Sequence, residues 1–276
     1  MARRLAGDRA AGPAAGAGGR PAEGLRSWVR QIMGTAISIA TWTGDGGLPD
    51  ATAATAAAVE RAFAELRAAD ERFSPFKPES QISRLRDGAV RLERCDAEVR
   101  EVLALCERLR RDTGGYFDAY AAGPDRLDPC GVVKGWAAER ASDLLLEAGV
   151  AAHYVNAGGD VRLRGQPGPD RLWRIGIADP HRPGELIATV RASDLGIATS
   201  GIAERGAHVL DPHRGAPAVE LASVTVVGPS LTLADAYATA AVAMGPIALD
   251  WLAGLDGYEA LLVAADGAIS GTPEFP

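Results

Sequence analysis

Apolar residues in the first part of the chain predict one strand followed by one long helix. In "SWVRQIMGTAISIATW" (27–42), β-branched and aromatic residues alternate around a central "MGT", which is typical of a strand with a bend at Gly34. From Asp50 to about Phe73, an alanine-rich stretch places its larger apolar residues on one helical face. Asp50 is a suitable N-cap for that helix.

Two further helices are predicted in the middle of the chain. The first opens at Asp96 and ends at the glycine pair 114–115, and its apolar residues recur at helical spacing. The second begins at Lys134 and ends at Gly149, after a stretch that glycine and proline interrupt.

From Tyr154 onward the pattern changes to short β-type runs that Gly, Pro and Asp separate. A helix over 233–244, a helical segment through Trp251 and a final strand follow. This order predicts an α+β fold with a mixed, largely antiparallel sheet flanked by helices. Residues 27–276 are predicted to form a single domain, and residues 1–26, rich in Ala, Gly and Pro, a disordered leader.

Composition narrows the function classes. The chain has 276 residues and a formal net charge of −7, which argues against a nucleic-acid partner because such proteins usually carry a basic face. Cys95, Cys106 and Cys130 form no CxxC pair, so neither a disulfide framework nor a zinc site is expected. No signal-peptide core or stop-transfer helix is recognised, which predicts a cytoplasmic protein without membrane insertion.

The stretch "LTLADAYATAAVAMG" (231–245) carries two polar side chains in register. Asp235 and Thr239 stand four residues apart and share one helical face. One interpretation is a capping box in which Thr232 is the N-cap and Asp235 its partner, which leaves Thr239 without a role. The other is a cation site, since a carboxylate and a hydroxyl one turn apart can share Mg²⁺.

Three further stretches place polar residues at turns. In "LDPCGVVKGW" (127–136), Asp128 and Lys134 flank a turn that either cradles a phosphate or is merely capped, and the local pattern favours the second interpretation. "VNAGGD" (155–160) is typical of a hairpin, although its glycines also permit close approach of a ligand. In "ATSGIAERGAHVLDPHRG", His208 lies among apolar residues near Asp211, an arrangement that suits either proton transfer or a structural histidine.

Taken in order, these stretches resemble the ApbE family, the FAD:protein FMN transferases. One motif alone would carry little weight, but nine in the right order make a chance match very improbable. The motifs are "MGT" at Met33, "FKPESQISRL" at Phe76, "GGYFD" at Gly114, "LDPCGVVKG" at Leu127, "VNAGGDV" at Val155, "TSG" at Thr199, "HVLDP" at His208, "SVTVVGP" at Ser223 and "ADAYATAAVAMG" at Ala234.

The resemblance implies an enzyme that takes FAD, binds Mg²⁺, joins FMN through a phosphoester to a Thr or Ser of an acceptor flavoprotein, and releases AMP. It implies Asp235, Thr239 and the carbonyl of Gly131 as metal ligands, and His208 as the catalytic base. The residues that it places at the flavin nucleotide are Met33, Phe76, Tyr116, Phe117, Asp118, Asp128, Lys134, Thr199 and His208.

Two departures from the family pattern bear on the flavin site. Only "AYAAGPDR" separates Asp118 from the "LD" turn, where the family usually has a longer connection, and Phe76 stands where a tyrosine is common. Stacking on the isoalloxazine ring survives the second change, whereas a hydroxyl hydrogen bond does not. A Mg²⁺-dependent FAD pyrophosphatase that yields FMN and AMP, and a non-enzymatic FAD-binding protein, remain as alternatives.

Overall fold

The computed structural model describes residues 24–44, 49–168, 170–201 and 209–276. Residues 1–23 of the predicted leader lie outside the described residues, and the first strand begins at Leu25, two residues before the predicted start. The helices are α1 Pro49–Phe73, α2 Gln81–Arg86, α3 Ala97–Asp112, α4 Cys130–Glu147, α5 Leu231–Met244 and α6 Ala248–Ala253, with short 3₁₀ turns at Leu92–Arg94 and Gly245–Ile247.

Eight strands form one sheet in the order β1-β2-β3-β4-β7-β10-β11-β12, while β5 pairs with β6 and β8 with β9. Every strand pair in the described part of the chain is antiparallel, which confirms the predicted α+β class with a largely antiparallel sheet flanked by helices. The strands are β1 Leu25–Ile32, β2 Thr35–Trp42, β3 Ala152–Ala157, β4 Asp160–Arg164, β5 Trp173–Ala178, β6 Leu186–Ala192, β7 Gly196–Gly201, β8 Leu210–Asp211, β9 Ala216–Pro217, β10 Leu221–Gly228, β11 Glu259–Ala264 and β12 Ile269–Gly271.

The central strand β10 is buried on both faces of the sheet. Val224 and Val226 point into the larger core, which the helices cover, and Val227 points into a second core that the β5–β6 hairpin covers. Burial on both faces explains why "ASVTVVG" is apolar without a strict alternation. The helices therefore lie on one face of the sheet, and α5 packs directly on β7 and β10.

The first predicted strand is in fact a hairpin. Met33 and Gly34 form a two-residue turn between β1 and β2, with Ile32 paired to Thr35. Both turn residues have positive φ, 54° and 71°, as a two-residue hairpin turn of the favoured type requires. The prediction of one strand with a bend is therefore wrong, because the "MG" pair reverses the chain.

Helix ends follow the predicted caps at some places and not at others. α1 ends at Phe73 and α3 begins after Asp96, as predicted. α4 begins at Cys130 and not at Lys134, because Pro129 and Gly131 belong to a helix start and not to a separate turn. The Thr232 cap is also wrong, since Ser230 is the N-cap of α5.

One helical stretch of the described residues, Leu231–Ala253, is long and apolar enough to cross a membrane by length and composition alone. The stretch comprises α5, a 3₁₀ turn and α6, and 72% of its apolar window is buried inside the fold. Packing against α4, β7 and β10 accounts for its hydrophobicity, since the core helix of a folded domain passes the same test.

Candidate functional site

The site is built where α4 crosses α5 at very short range. Gly131 and Gly135 of α4 face Leu231, Asp235 and Thr239 of α5. A Cβ atom on Gly135 would lie 2.8 Å from the Asp235 Cβ and from the Leu231 carbonyl oxygen, closer than real Cβ atoms come. Glycine at this position therefore allows the two helices to approach each other.

Asp235 is oriented by a neighbouring helix. Its side chain is buried, with 3% of the residue exposed, and the Gly135 amide donates a hydrogen bond to Oδ2 at 2.8 Å. In a regular α-helix the Gly135 amide would donate to the carbonyl of Gly131. The Asp235 carboxylate therefore accepts a hydrogen bond within the first turns of α4, which also contain Gly131, the residue whose carbonyl the resemblance implies as a metal ligand.

Thr239 lies one turn further along the same face of α5. Its hydroxyl Oγ1 is 3.2 Å from Ser200 Oγ at the end of β7. A Cβ on Gly131 would come within 3.4 Å of the same Oγ1. Thr239 thus joins α5 to both α4 and β7, and the predicted metal ligands lie side by side.

Oxygen atoms alone make up this donor set, which suits a hard cation such as Mg²⁺. Within the described residues, no group of three or more His, Cys, Asp or Glu side chains is placed to hold a metal ion. Asp235 is the one carboxylate of the predicted set, and Mg²⁺ is commonly bound by one or two carboxylates together with water and substrate phosphates. The residues present therefore fit a cation that phosphate oxygens help to bind.

Lys134 reaches across to the sheet. Its Nζ lies 2.8 Å from Oδ2 of Asp160, whose side chain is completely buried at the start of β4. The other oxygen of Asp160 accepts a hydrogen bond from the Thr199 amide at 3.0 Å, and Thr199 Oγ1 lies 2.9 Å from Thr225 Oγ1. An ion pair therefore positions Lys134, and the "VNAGGD" and "TSG" motifs meet at this carboxylate.

Asp128 and Asp118 both hold turns. Oδ1 of Asp128 accepts from the Cys130 amide at 2.9 Å, and Oδ1 of Asp118 accepts from the Tyr120 amide at 2.8 Å. The Asp128 amide in turn donates to the Ala119 carbonyl at 2.8 Å and closes the short connection before α4. The structure thus supports the capping interpretation of Asp128 and shows how the chain bridges this shortened segment.

The predicted flavin-contacting aromatic residues lie in different settings. Phe117 is buried beside Gly131, and Tyr116 is half-buried with its ring centroid 4.4 Å from that of His213. Phe76, on the loop between α1 and α2, is 85% exposed. An exposed ring of this size offers a stacking surface at little cost to the core.

Met33 lies at the tip of the β1–β2 hairpin, next to the β3–β4 hairpin that "VNAGGD" forms. The two tips touch, because a Cβ on Gly158 would meet Thr35 Oγ1 at 2.6 Å. The hairpin prediction for this motif is confirmed, with Ala157 paired to Asp160. Met33 and Asp160 therefore lie at the same end of the strands, at or next to neighbouring hairpin turns.

A cavity of about 240 Å³ opens between α3 and the loop that follows Asp118. Cys106 lines it, and burial raises the pKa of this thiol to about 12, so the side chain is a neutral, small hydrophobic group. Tyr120, on the other wall, also has a raised pKa because it is partly buried.

The structure brings together the predicted metal and phosphate residues more closely than the flavin residues. Within the described part of the chain, no hydrogen bond, ion pair or ring contact joins Phe76 to the others, and His208 lies outside the described residues. The residues that meet around the first two turns of α4 are Phe117, Gly131, Lys134, Thr199, Asp235 and Thr239.

Three further residues of the site, Asp160, Ser200 and Gly135, are not marked as functional by the sequence pattern. Asp160 and Gly135 lie within the motifs "VNAGGD" and "LDPCGVVKGW", and Ser200 follows Thr199 in "TSG". Gly131 and Gly135 do stand four residues apart, the same spacing as Asp235 and Thr239, and that match was the available signal for two helices in close contact.

Comparisons with known proteins agree with this architecture. An FAD:protein FMN transferase of Klebsiella pneumoniae is 30% identical to this chain over 151 residues, which cover 51% of the chain and 43% of that relative. One of Rhodobacter capsulatus is 33% identical over 195 residues, which cover 66% of the chain and 36% of that relative. The matched region thus spans less than half the length of these curated relatives.

Solved structures match over nearly the whole fold. The flavin transferase ApbE of Vibrio cholerae has a TM-score of 0.76 and 20% identity, covering 91% of this chain and 98% of that one. The ApbE protein of Thermotoga maritima has a TM-score of 0.79 and 22% identity, covering 90% and 97%. The profile of the ApbE family matches residues 33–125 and 121–262. Since these segments make up most of the sequence, the chain belongs to the ApbE family.

Proposed function

We propose that this chain transfers the FMN moiety of FAD to a Thr or Ser hydroxyl of an acceptor flavoprotein and releases AMP. Membership of the ApbE family and the relatives named FAD:protein FMN transferase support this proposal. The observation that carries it is the contact of Asp235 and Thr239 with the first turns of α4, beside Lys134. Carboxylate, hydroxyl and ammonium groups in this arrangement suit a pyrophosphate substrate.

The proposed transfer makes one bond and breaks one. The acceptor hydroxyl oxygen forms a bond to the phosphorus of the FMN half, and the bond from that phosphorus to the bridging oxygen breaks. The bridging oxygen leaves with AMP, and the proton of the hydroxyl passes to a general base. His208 is the proposed base on the resemblance alone, because it lies outside the described residues; general-base catalysis contributes about a hundredfold or more.

Lys134 is the proposed contact to the pyrophosphate. Its ion pair with the buried Asp160 fixes where the ammonium group sits before substrate arrives. Asp235, Thr239 and the Gly131 carbonyl would hold Mg²⁺, which when bound supplies positive charge to the phosphate oxygens as charge develops on them. The N-terminal amides of α4 add partial positive charge at the same place.

The flavin half of the substrate is assigned to the loops around this centre. Met33, Phe76, Tyr116 and Thr199 are the proposed contacts, with Phe76 offering the most exposed ring. Asp118 and Asp128 support the walls through the turns that they hold. The acceptor protein is the second proposed partner, and the cytoplasmic location stays a prediction.

A labelling assay tests the proposal. The protein is incubated with FAD, Mg²⁺ and candidate acceptor flavoproteins, and denatured acceptor is examined for covalent flavin fluorescence while AMP is quantified. Asp235→Asn should abolish labelling and weaken Mg²⁺ binding measured by calorimetry, whereas Asp250→Asn, an exposed carboxylate on α6, should change neither. Free FMN with AMP but no label would instead identify a pyrophosphatase, and bound, unchanged FAD a binding protein.

A further inference from the structure

Glu139 of α4 makes the densest set of hydrogen bonds at the α4–α5 crossing. Its carboxylate accepts from the Ser230 hydroxyl at 2.8 Å, from the Thr232 hydroxyl at 2.6 Å, and from the Thr232 and Leu231 amides at 3.0 and 3.4 Å. The first amides of a helix have no partner within the helix, so they need acceptors from elsewhere. Glu139 therefore caps α5 from a neighbouring helix.

A second charged residue holds the segment that leads into α5. Arg162 of β4 donates from Nη1 to the Pro229 carbonyl at 2.8 Å, and its Nε lies 3.6 Å from Glu139 Oε1. Both side chains are largely buried, with 4% of the arginine and 17% of the glutamate exposed. The start of α5 is thus fixed to both α4 and the sheet.

Glu139 is ionised under ordinary conditions. Burial alone would raise the pKa of its carboxyl, but the hydrogen bonds from Thr232 and Ser230 and the charge of Arg162 outweigh this effect and hold the pKa below its usual value. A charged acceptor makes stronger hydrogen bonds than a neutral one.

The three contacts between the helices are spaced four residues apart on α4, and three and then four residues apart on α5. Glu139 contacts Thr232, Gly135 contacts Asp235, and Gly131 contacts Thr239. Helix geometry spaces residues four apart at about 6 Å, so Glu139 acts about 12 Å from the Gly131 contact. The three contacts form a single antiparallel ladder along the two helices.

The Glu139 rung carries four directional hydrogen bonds, more than either of the other two rungs. Glycine has no side chain to interlock with the opposite helix, so packing at Gly131 and Gly135 sets the distance between the axes. The hydrogen bond from the Gly135 amide to Asp235 is the contact of the second rung that depends on the relative position of the helices along their axes. A shift of one residue, about 1.5 Å, would draw the Gly135 amide away from the Asp235 carboxylate. The directional hydrogen bonds of Glu139 oppose such a shift.

We propose that Glu139 is a positioning residue that fixes the register of α5 against α4 and thereby presents Asp235 and Thr239 as one pair of oxygen donors. The inference rests on the proposed function, because it assigns the pair to a cation. It adds a residue that touches neither substrate nor cation. Replacing it should change cation affinity without removing any donor.

The test compares Glu139→Gln with Glu147→Gln, an exposed carboxylate two turns further along the same helix. The first readout is the hydrogen-exchange rate of the Gly135 amide, which reports the register without any ligand. The second is binding of Mn²⁺ alone, followed by water-proton relaxation, because Mn²⁺ also accepts oxygen ligands. Glu139→Gln should speed exchange at Gly135 and raise the Mn²⁺ dissociation constant by about tenfold or more; Glu147→Gln should leave both unchanged.

Unchanged exchange at Gly135, or faster exchange with unchanged Mn²⁺ affinity, would overturn the proposal. If Glu139→Gln does not fold, Thr232→Val removes one of the four hydrogen bonds and should shift both readouts in the same direction by a smaller factor. If the native protein neither binds Mn²⁺ nor labels an acceptor, the proposed function fails. Exchange at Gly135 then still decides whether Glu139 sets the register.

Discussion

Gly135→Ala is the most direct probe of the helix crossing on which the site depends. The added methyl group would lie 2.8 Å from the Asp235 Cβ and 2.8 Å from the Leu231 carbonyl oxygen. Neither atom is the far end of a flexible side chain, so a rotamer change cannot relieve the overlap. The two helices must therefore move apart, and the hydrogen bond from the Gly135 amide to Asp235 must lengthen.

The expected cost follows from three effects. Alanine favours a helix interior over glycine by about 1 kcal/mol. Overpacking a tight contact costs about 1–3 kcal/mol, and weakening a hydrogen bond to a charged group costs about 1.5–3 kcal/mol. The two losses exceed the gain, so we expect Gly135→Ala to lower the free energy of unfolding by about 1.5–5 kcal/mol.

Gly254→Ala provides the matched control. Gly254 ends α6 with a φ of −88°, and a Cβ there would meet the Trp251 carbonyl oxygen at an ordinary 3.4 Å. Urea unfolding of both variants measures the change, and Gly254→Ala should stay within about 0.5 kcal/mol of the native protein. An unfolding free energy for Gly135→Ala equal to that of the native protein would refute the close crossing of α4 and α5.

Gly135→Ala also tests the proposal that Asp235 is a ligand of Mg²⁺. Separation of the helices displaces the carboxylate from the first turns of α4, so FMN transfer should fall more at limiting than at saturating Mg²⁺. A loss that is equal at all Mg²⁺ concentrations would show that the crossing supports transfer in some way other than through the cation.

Three further predictions use other parts of the structure. His153 is buried between Ser142 and the Val150 carbonyl, and burial lowers its pKa to about 4. The contribution of the neutral imidazole to stability should therefore be fully present above pH 6.5, and the free energy of unfolding should fall by about 2–3 kcal/mol as the pH is lowered to 4. Urea unfolding measures this loss, which His153→Gln should lack. Lys134→Met should lower the free energy of unfolding by about 3–5 kcal/mol, because it leaves the buried Asp160 carboxylate without its cation. Adding Asp160→Asn should restore part of that loss, and no recovery would contradict the ion pair. Phe76→Ala should leave the melting temperature unchanged and weaken FAD binding measured by flavin fluorescence; a lower melting temperature would show that the ring packs in the core.

The elements that could be predicted from the sequence are those whose signals are local. α3 follows its predicted bounds because Asp96 precedes it and its buried residues recur at helical spacing. The start of α4 was misplaced because Pro129 and Gly131 resemble turn residues, although proline is also accepted at the first turn of a helix. The prediction of a bend at Gly34 is wrong for a similar reason, because glycine is common both at bends within a strand and in the turns that reverse the chain.

The pairings inside the site could not be predicted in this way. Lys134 and Asp160 come from an α-helix and a strand, and Ser200 meets Thr239 across 39 positions of sequence. No periodicity within one element reports such contacts, because they depend on how the sheet and helices assemble. The ordered motifs supplied the residue identities, and the fold supplied the partners.

Asp235 illustrates how one misplaced helix start changes a chemical interpretation. A capping box needs its acidic residue at the third position of the helix, which Asp235 would occupy if Thr232 were the cap. Because α5 begins at Leu231, Asp235 is instead the fifth helical residue and lies beyond the amides that a capping box serves. A carboxylate that is 3% exposed still requires a partner, and the amide of Gly135 on the opposite helix supplies one. Asp235 does not cap α5, and its carboxylate instead lies against α4, at the turns that carry Gly131 and Lys134.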